Sequence, residues 1–207
     1  MDMFNVDHLP DYLLEKRPKS TGKILIIRHA NELDSKSPHG WSDLDLSKIG
    51  IRNAGKMATF LRGQNLHNLY SSDLRRALHT ATIIGEQLNI RATPDFELRP
   101  WDIGVLADGD PNEVVPIIRY HIKIDRDSPV NGGESFNNFL SRFKKSLFKY
   151  ILMAAKNNQN IGLVTHSKTL YAMKFILPQA KVTYKGKTPP SSILLMDVED
   201  LSVSRIY

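Results

Sequence analysis

The chain predicts an α/β fold, a three-layer α/β/α sandwich around a mainly parallel sheet with an antiparallel edge strand. Three observations carry that prediction. Ile24-Leu25-Ile26-Ile27 and Ile161-Gly162-Leu163-Val164 are short, almost unbroken apolar runs rich in β-branched residues, the mark of strands buried on both faces. Segments with apolar residues at helical spacing alternate with such runs, in the order β-α-β-α-β, then helices, then β-α-β-β. Both apolar runs also end on polar residues, Arg28-His29 and His166. Ligands of parallel sheets collect at the carboxyl ends of the strands.

Residues 1–22 read as an N-terminal extension. Pro10 and Pro18 bracket one or two helical turns over 11–17, and Ser20-Thr21-Gly22 is a linker signal. The first core strand, with Ile24-Leu25-Ile26-Ile27 as its body, opens a single domain that spans 23–207. A polar loop follows at 31–46. Ser47 is a fitting N-cap for a helix whose inner face carries Ile51, Ala54, Ala58 and Leu61. A short strand near 68–70 leads to a helix from Asp73, with Leu74, Ala77, Leu78, Ala81, Ile84 and Leu88 inward. A third short strand is expected at 90–93, closed by Pro94.

The charged loop 96–110 precedes a helix over 112–123 and a turn at 129–133. Residues 105–133 are expected to form a lid insertion. The longest helix spans 134–155, capped by Ser135, with Phe136, Phe139, Leu140, Phe143, Leu147, Tyr150, Ile151 and Ala154 as its buried stripe. A helix over 168–177 follows the His166 strand and stops at Pro178. The last strands, 192–198 and 201–206, read as an edge hairpin turning on Glu199-Asp200.

The chain has 207 residues and no cysteine, which rules out a disulfide framework, a thiolate zinc site and a cysteine nucleophile. No apolar run approaches the ~18 residues that span a bilayer. The first residues lack the basic start and apolar middle of a signal peptide. A cytoplasmic protein with no membrane contact is the expectation. The formal net charge of +6 is spread along the chain without a long single-sign tract, so nucleic acid is not an expected partner. A strand edge near the C-terminus would permit a homodimer.

Arg28 offers a flat fork of donors that fits phosphoryl oxygens, and a neutral imidazole such as His29 is a competent nucleophile near pH 7. Arg76 falls in a first helical turn, where backbone N–H groups favour an anion. His166 opens another helix. Arg75 points elsewhere on its helix and is expected in solvent. Two guanidiniums and two imidazoles at neighbouring strand ends suit one phosphoryl group.

Taken together these motifs resemble branch 1 of the histidine phosphatase superfamily, the phosphoglycerate mutase-like proteins. The matches run in order: Arg28-His29-Ala30 for the family's Arg-His-Gly; Gly40-Trp41; Leu46-Ser47-Lys48-Ile49-Gly50; Ser72-Asp73-Leu74-Arg75-Arg76-Ala77 continuing to Thr80-Ala81; Gly132-Gly133-Glu134-Ser135; and Val164-Thr165-His166-Ser167. They cover residues 23 to about 180. The resemblance implies a phosphoglycerate mutase-like fold, His29 as the phosphorylated nucleophile, and Arg28, Arg76 and His166 as phosphate ligands that stabilise the charge in flight. It implies no metal and no cofactor. Ser167, Asn31 and Ser35 are further candidates for the substrate pocket.

Three departures stand out. Ala30 and Ser167 replace glycines. The family's Leu-x-Glu-x-x-x-Gly, whose Glu protonates the leaving oxygen, here reads Leu98-Arg99-Pro100-Trp101-Asp102-Ile103-Gly104. Pro100 has no proton to give, so Asp102 is the expected acid, with Glu97 behind it. The loops 31–46 and 105–133 would set specificity, with Arg119, His121, Lys123 and Arg126 on the second. His8, His39, His67 and His79 are expected at the surface. The expected function is a metal-independent phosphatase acting on small phosphate monoesters. A mutase-like phosphotransferase and a phospho-ligand-binding protein on a decayed scaffold are the alternatives. Mutases of the family are usually longer.

Overall fold

The computed structural model describes residues 20–34, 36–178, 180–181, 183 and 188–207. The helical turns expected at 11–17, and Ser35, lie outside the described residues. Among those described are six strands: β1 (Lys23–Arg28), β2 (Leu66–Ser71), β3 (Ala92–Pro94), β4 (Asn160–Thr165), β5 (Ile193–Asp197) and β6 (Val203–Arg205). Five α-helices accompany them: α1 (Lys48–Leu61), α2 (Arg75–Leu88), α3 (Pro111–Lys123), α4 (Phe136–Asn157) and α5 (Ser167–Ile176).

The strands form one sheet in the order β3-β2-β4-β1-β5-β6. The β3-β2, β2-β4 and β4-β1 pairs are parallel. The β1-β5 and β5-β6 pairs are antiparallel. This is the mainly parallel sheet with an antiparallel edge that the sequence predicts.

Alternation along β1 makes the layers, because successive side chains leave opposite faces of a strand. Ile24 and Ile26 join α3, α4 and α5 in one apolar cluster. Leu25 and Ile27 join α1 and α2 in the other. All four are essentially inaccessible, and burying each such side chain stabilises the fold by roughly 1.5–3 kcal/mol.

The helix starts follow the caps read in the sequence. The Ser47 hydroxyl accepts from Gly50 N–H at 3.1 Å, and the Ser135 hydroxyl from Asn138 N–H at 3.0 Å. α4 ends on Asn158 in the left-handed region, φ 51°. Its stripe is buried as expected except Leu140, which is partly buried. The segment expected as a lid contains α3, and Val114, Ile118 and Ile122 of that helix belong to the core.

Two boundaries differ for local reasons. Ile90 donates its N–H to the Gly85 carbonyl at 2.9 Å, so it closes α2 and β3 begins at Ala92. Pro94 lies in that strand, which is tolerated because β3 is a sheet edge. The terminal hairpin turns on Val198 to Leu201, wider than Glu199-Asp200 alone: Asp197 N–H bonds the Ser202 carbonyl at 3.0 Å. Val198 and Leu201 are both buried, and Leu201 takes φ 57° to reach the core.

Candidate active site

β1 and β4 lie side by side with Arg28 opposite Thr165. The residues that leave these two strands are therefore neighbours. His29 N–H bonds the Thr165 carbonyl at 2.9 Å, and the His29 and His166 rings sit 5.0 Å apart, centroid to centroid. β2 flanks β4 on its other side and delivers α2, whose first turn brings Arg76 to the same end of the sheet. His166 caps α5, so that helix also directs its N-terminus here.

Together these residues line a cavity of about 140 Å³. Arg28, His29, Arg76, His166 and Ser167 are in its wall, all of them candidates from the sequence. So are Glu32, His39, Pro100, Trp101, Ile103 and Lys168.

His29 Nδ1 faces the Ala30 carbonyl at 2.8 Å. A carbonyl only accepts, so the proton is on Nδ1 and Nε2 keeps its lone pair. Burial, then the charges of Arg76 and Arg28, hold the His29 pKa well below its ordinary value. His166 is held down by burial, then by Arg76, His29 and Arg28. Both rings are therefore neutral at pH 7. Burial also pushes Arg76 down to about 10, which still leaves it a cation.

Several polar atoms of this cavity are buried without a hydrogen-bond partner among the described residues: Arg28 Nε, both ring nitrogens of His166 and Glu32 Oε2. An unsatisfied buried polar group costs about 1–3 kcal/mol, so such atoms gathered in one wall point to a ligand that completes them. Other donors of the two guanidiniums are tied to the frame. Arg28 Nη1 bonds the Thr188 carbonyl at 2.6 Å, and Arg76 holds the carbonyls of Ser42 at 2.5 Å and Gly40 at 2.9 Å.

Other candidates fall elsewhere. Asp102 Oδ1 accepts from Gly104 N–H at 3.0 Å, and Asp102 is not among the lining residues. It closes the turn around Gly104 instead of facing the nucleophile. Gly104 has φ 47°, and a Cβ there would run into the Asn131 carbonyl. Asn31 is likewise outside the wall. Its Oδ1 accepts from Asn53 at 3.0 Å and its carbonyl from Ser47 N–H at 3.0 Å, which ties the end of β1 to α1. Glu97 does not line the cavity either. Ser35 lies outside the described residues.

Pro100 stands in the wall, buried, its carbonyl accepting from Trp41 Nε1 at 2.8 Å and Arg142 Nη2 at 3.1 Å. Arg142 also pairs with Glu134 at 2.6 Å and bonds the carbonyls of Glu97 and Arg99. The 97–100 segment is thus fastened to α4.

Sequence reasoning passed over Glu32, His39 and Lys168. Glu32 is buried beside His29, its Oε2 3.5 Å from His29 Nδ1. Its backbone bridges to Leu46, which folds the start of the 31–46 loop inward. Its signal was its place three residues after His29. His39, expected at the surface, is only 8% exposed. Its signal was the Gly40-Trp41 pair that follows. Lys168 is pushed down by burial, then by the charge of Arg119. Among the described residues no group of three or more His, Cys, Asp or Glu is arranged to hold a metal ion, and no helix is long and apolar enough to cross a membrane.

Comparison with known proteins agrees with this layout. A segment of 96 residues is 32% identical to the "Probable phosphoglycerate mutase GpmB" of Yersinia pestis (strain Pestoides F); it spans 45% of this chain and 45% of that protein, less than half of each. The fold matches a mycobacterial glucosyl-3-phosphoglycerate phosphatase with a TM-score of 0.71 at 20% identity, over 89% of this chain and 97% of that one. A protein from Thermus thermophilus matches with a TM-score of 0.70 at 24% identity, over 89% and 99%. The family model of the histidine phosphatase superfamily (branch 1) matches residues 24–184, from the first core strand past α5. With that match over most of its length, and with an Arg-His pair and a second histidine on adjoining parallel strands, the chain belongs to branch 1 of the histidine phosphatase superfamily.

Proposed function

We propose that this chain is a phosphatase that hydrolyses small phosphate monoesters through a phosphohistidine on His29, with water as the final acceptor. One observation carries the reading. Two neutral imidazoles and two guanidiniums line a single cavity, and buried nitrogens of that set have no partner. A phosphoryl dianion supplies the acceptors they lack.

The chemistry follows from the tautomer. Nε2 of His29 attacks phosphorus with its lone pair, while Nδ1–H stays on the Ala30 carbonyl and keeps the ring aimed. Arg28 and Arg76 form charge-assisted bonds to the phosphoryl oxygens, and His166 adds a third side chain. The fixed cations stabilise the charge that spreads over the equatorial oxygens as the P–O bond breaks. Water then attacks the phosphohistidine and the P–N bond breaks, returning the neutral ring and inorganic phosphate. The similarity to a phosphoglycerate mutase favours a second reading, in which a second substrate takes the phosphoryl group in place of water.

The test uses p-nitrophenyl phosphate with wild type and His29→Ala. The variant is expected to lose at least about 1,000-fold in kcat, since the covalent route is removed. Wild type quenched during turnover should carry a phosphoryl group on His29 that acid removes and base does not. Equal activity in the two proteins would refute the reading. Phosphate recovered on an added acceptor, in place of free inorganic phosphate, would favour the transferase.

A further inference from the structure

Breaking a phosphate ester leaves negative charge on the departing oxygen, and a strongly basic oxygen must be protonated as it leaves. Pro100 has no proton, and Asp102 is engaged by Gly104 N–H outside the cavity wall. Among the described residues, the protonatable side chains that line the cavity are His29, Glu32, His39, His166 and Lys168. His29 is the nucleophile, and burial keeps His166 without a spare proton. Glu32 stands 3.5 Å from His29 Nδ1, on the nucleophile's side. In-line displacement carries the leaving oxygen to the opposite side of phosphorus. His39 and Lys168 remain.

The hydrogen bonds of His39 set it apart. Its Nδ1 meets Asp108 Oδ1 at 2.6 Å and its Nε2 meets the Asp34 carbonyl at 2.6 Å. A carbonyl cannot donate, so Nε2 carries hydrogen. Burial pushes the Asp108 carboxyl up, but hydrogen bonds from His39 and the Ser42 hydroxyl outweigh it and hold the group below the usual carboxylate range. An ionised Asp108 cannot donate either, so Nδ1 also carries hydrogen. Both ring nitrogens thus face acceptors, and the ring lies buried in the cavity wall with hydrogen on Nε2.

Its neighbours in the chain reach the segment that holds Pro100. Trp41, two residues on, donates to the Pro100 carbonyl, and a Cβ on Gly40 would lie 2.6 Å from Ile103 Cγ1. Pro100 and Ile103 both line the cavity. The other charges that bear on this group are His29, which feels the His39 charge, and Arg76, which acts on Asp108 and holds the carbonyls of Gly40 and Ser42.

We propose that His39, held by Asp108, is the general acid of this site, in place of the carboxyl absent at Pro100. The assignment rests on the phosphatase reading. As His29 Nε2 bonds to phosphorus, the P–O bond breaks and its electron pair goes to the leaving oxygen. That oxygen takes the Nε2 proton of His39, which gives up the Asp34 carbonyl. His39 is left neutral, with Nδ1–H still on Asp108. In the second half-reaction the neutral Nε2 takes a proton from the attacking water as the O–P bond forms and the P–N bond breaks. The imidazolium is restored.

The experiment compares kcat/KM on phenyl phosphate and p-nitrophenyl phosphate, which differ in how much the leaving oxygen needs a proton. His39→Gln should lose about 100-fold or more on phenyl phosphate, and less than about tenfold on the p-nitrophenyl ester. Asp108→Asn should show the same selectivity with a smaller loss, and it serves as the test if His39→Gln does not fold. Equal losses on the two esters would overturn the assignment, because that is what a structural role predicts. A selective loss in Lys168→Met, absent from His39→Gln, would overturn it in favour of Lys168. A wild type inert on both esters would overturn the phosphatase reading itself, and this assignment with it.

Discussion

Lowering the pH from 7.5 to 5.5 should weaken the fold through the two site histidines, and replacing His166 by Asn should remove half of that effect. Both imidazoles are buried and both folded pKa values lie well below the ordinary 6.5. At pH 5.5 an unfolded histidine is about nine-tenths protonated, whereas the folded rings, held well below the ordinary value by burial, take up fewer protons. The unfolded chain thus binds more protons, and stability falls with pH. The contribution is fully present above about pH 6.5 and is lost below it, down to the folded values. Each ring costs about 1–2 kcal/mol at pH 5.5 relative to pH 7.5. Carboxylates do not blur the comparison, because unfolded Asp and Glu titrate near pH 4. Urea unfolding at the two pH values, in buffers free of phosphate and sulfate, measures the difference. Wild type should lose about 1–2 kcal/mol more than His166→Asn over that interval. Equal losses would refute the reasoning, since His166 would then be no more reluctant to take a proton in the folded chain than in the unfolded one.

Two further outcomes follow from the loop beside the cavity. Asp102→Ala should keep hydrolysis of p-nitrophenyl phosphate within about threefold of wild type while losing about 1 kcal/mol in a urea melt, because its carboxylate caps Gly104 N–H. A loss of activity comparable to His29→Ala would return Asp102 to the chemistry. Gly104→Ala should cost more than about 2 kcal/mol in the same melt, since it needs a left-handed backbone and drives a Cβ into the Asn131 carbonyl. A wild-type midpoint would show that this crossing of loops has room to spare.

The layered fold was legible because its signals are local. Apolar runs, Ser47 and Ser135 at helix starts and the stripe of α4 each act over a few residues. The pocket was legible where a strand end or a first helical turn aims the side chain, as with Arg28, His29, His166 and Arg76. Loop residues were not, because proximity along the chain is a poor guide to facing. Asn31, two residues from His29, turns to Asn53, while Glu32, three residues away, reaches the His29 ring. His39 was legible neither way, since its partner Asp108 lies 69 positions on. Asp102 lies outside the cavity wall, and nothing in the sequence shows that Gly104 N–H needs an acceptor.

The pairing of β1 with β4 sets a condition on biosynthesis. Arg28 pairs with Thr165 of the neighbouring strand, so His29 leaves the ribosome long before the strand that walls its cavity. A nick anywhere between those two strands turns assembly of the cavity into a meeting of two fragments.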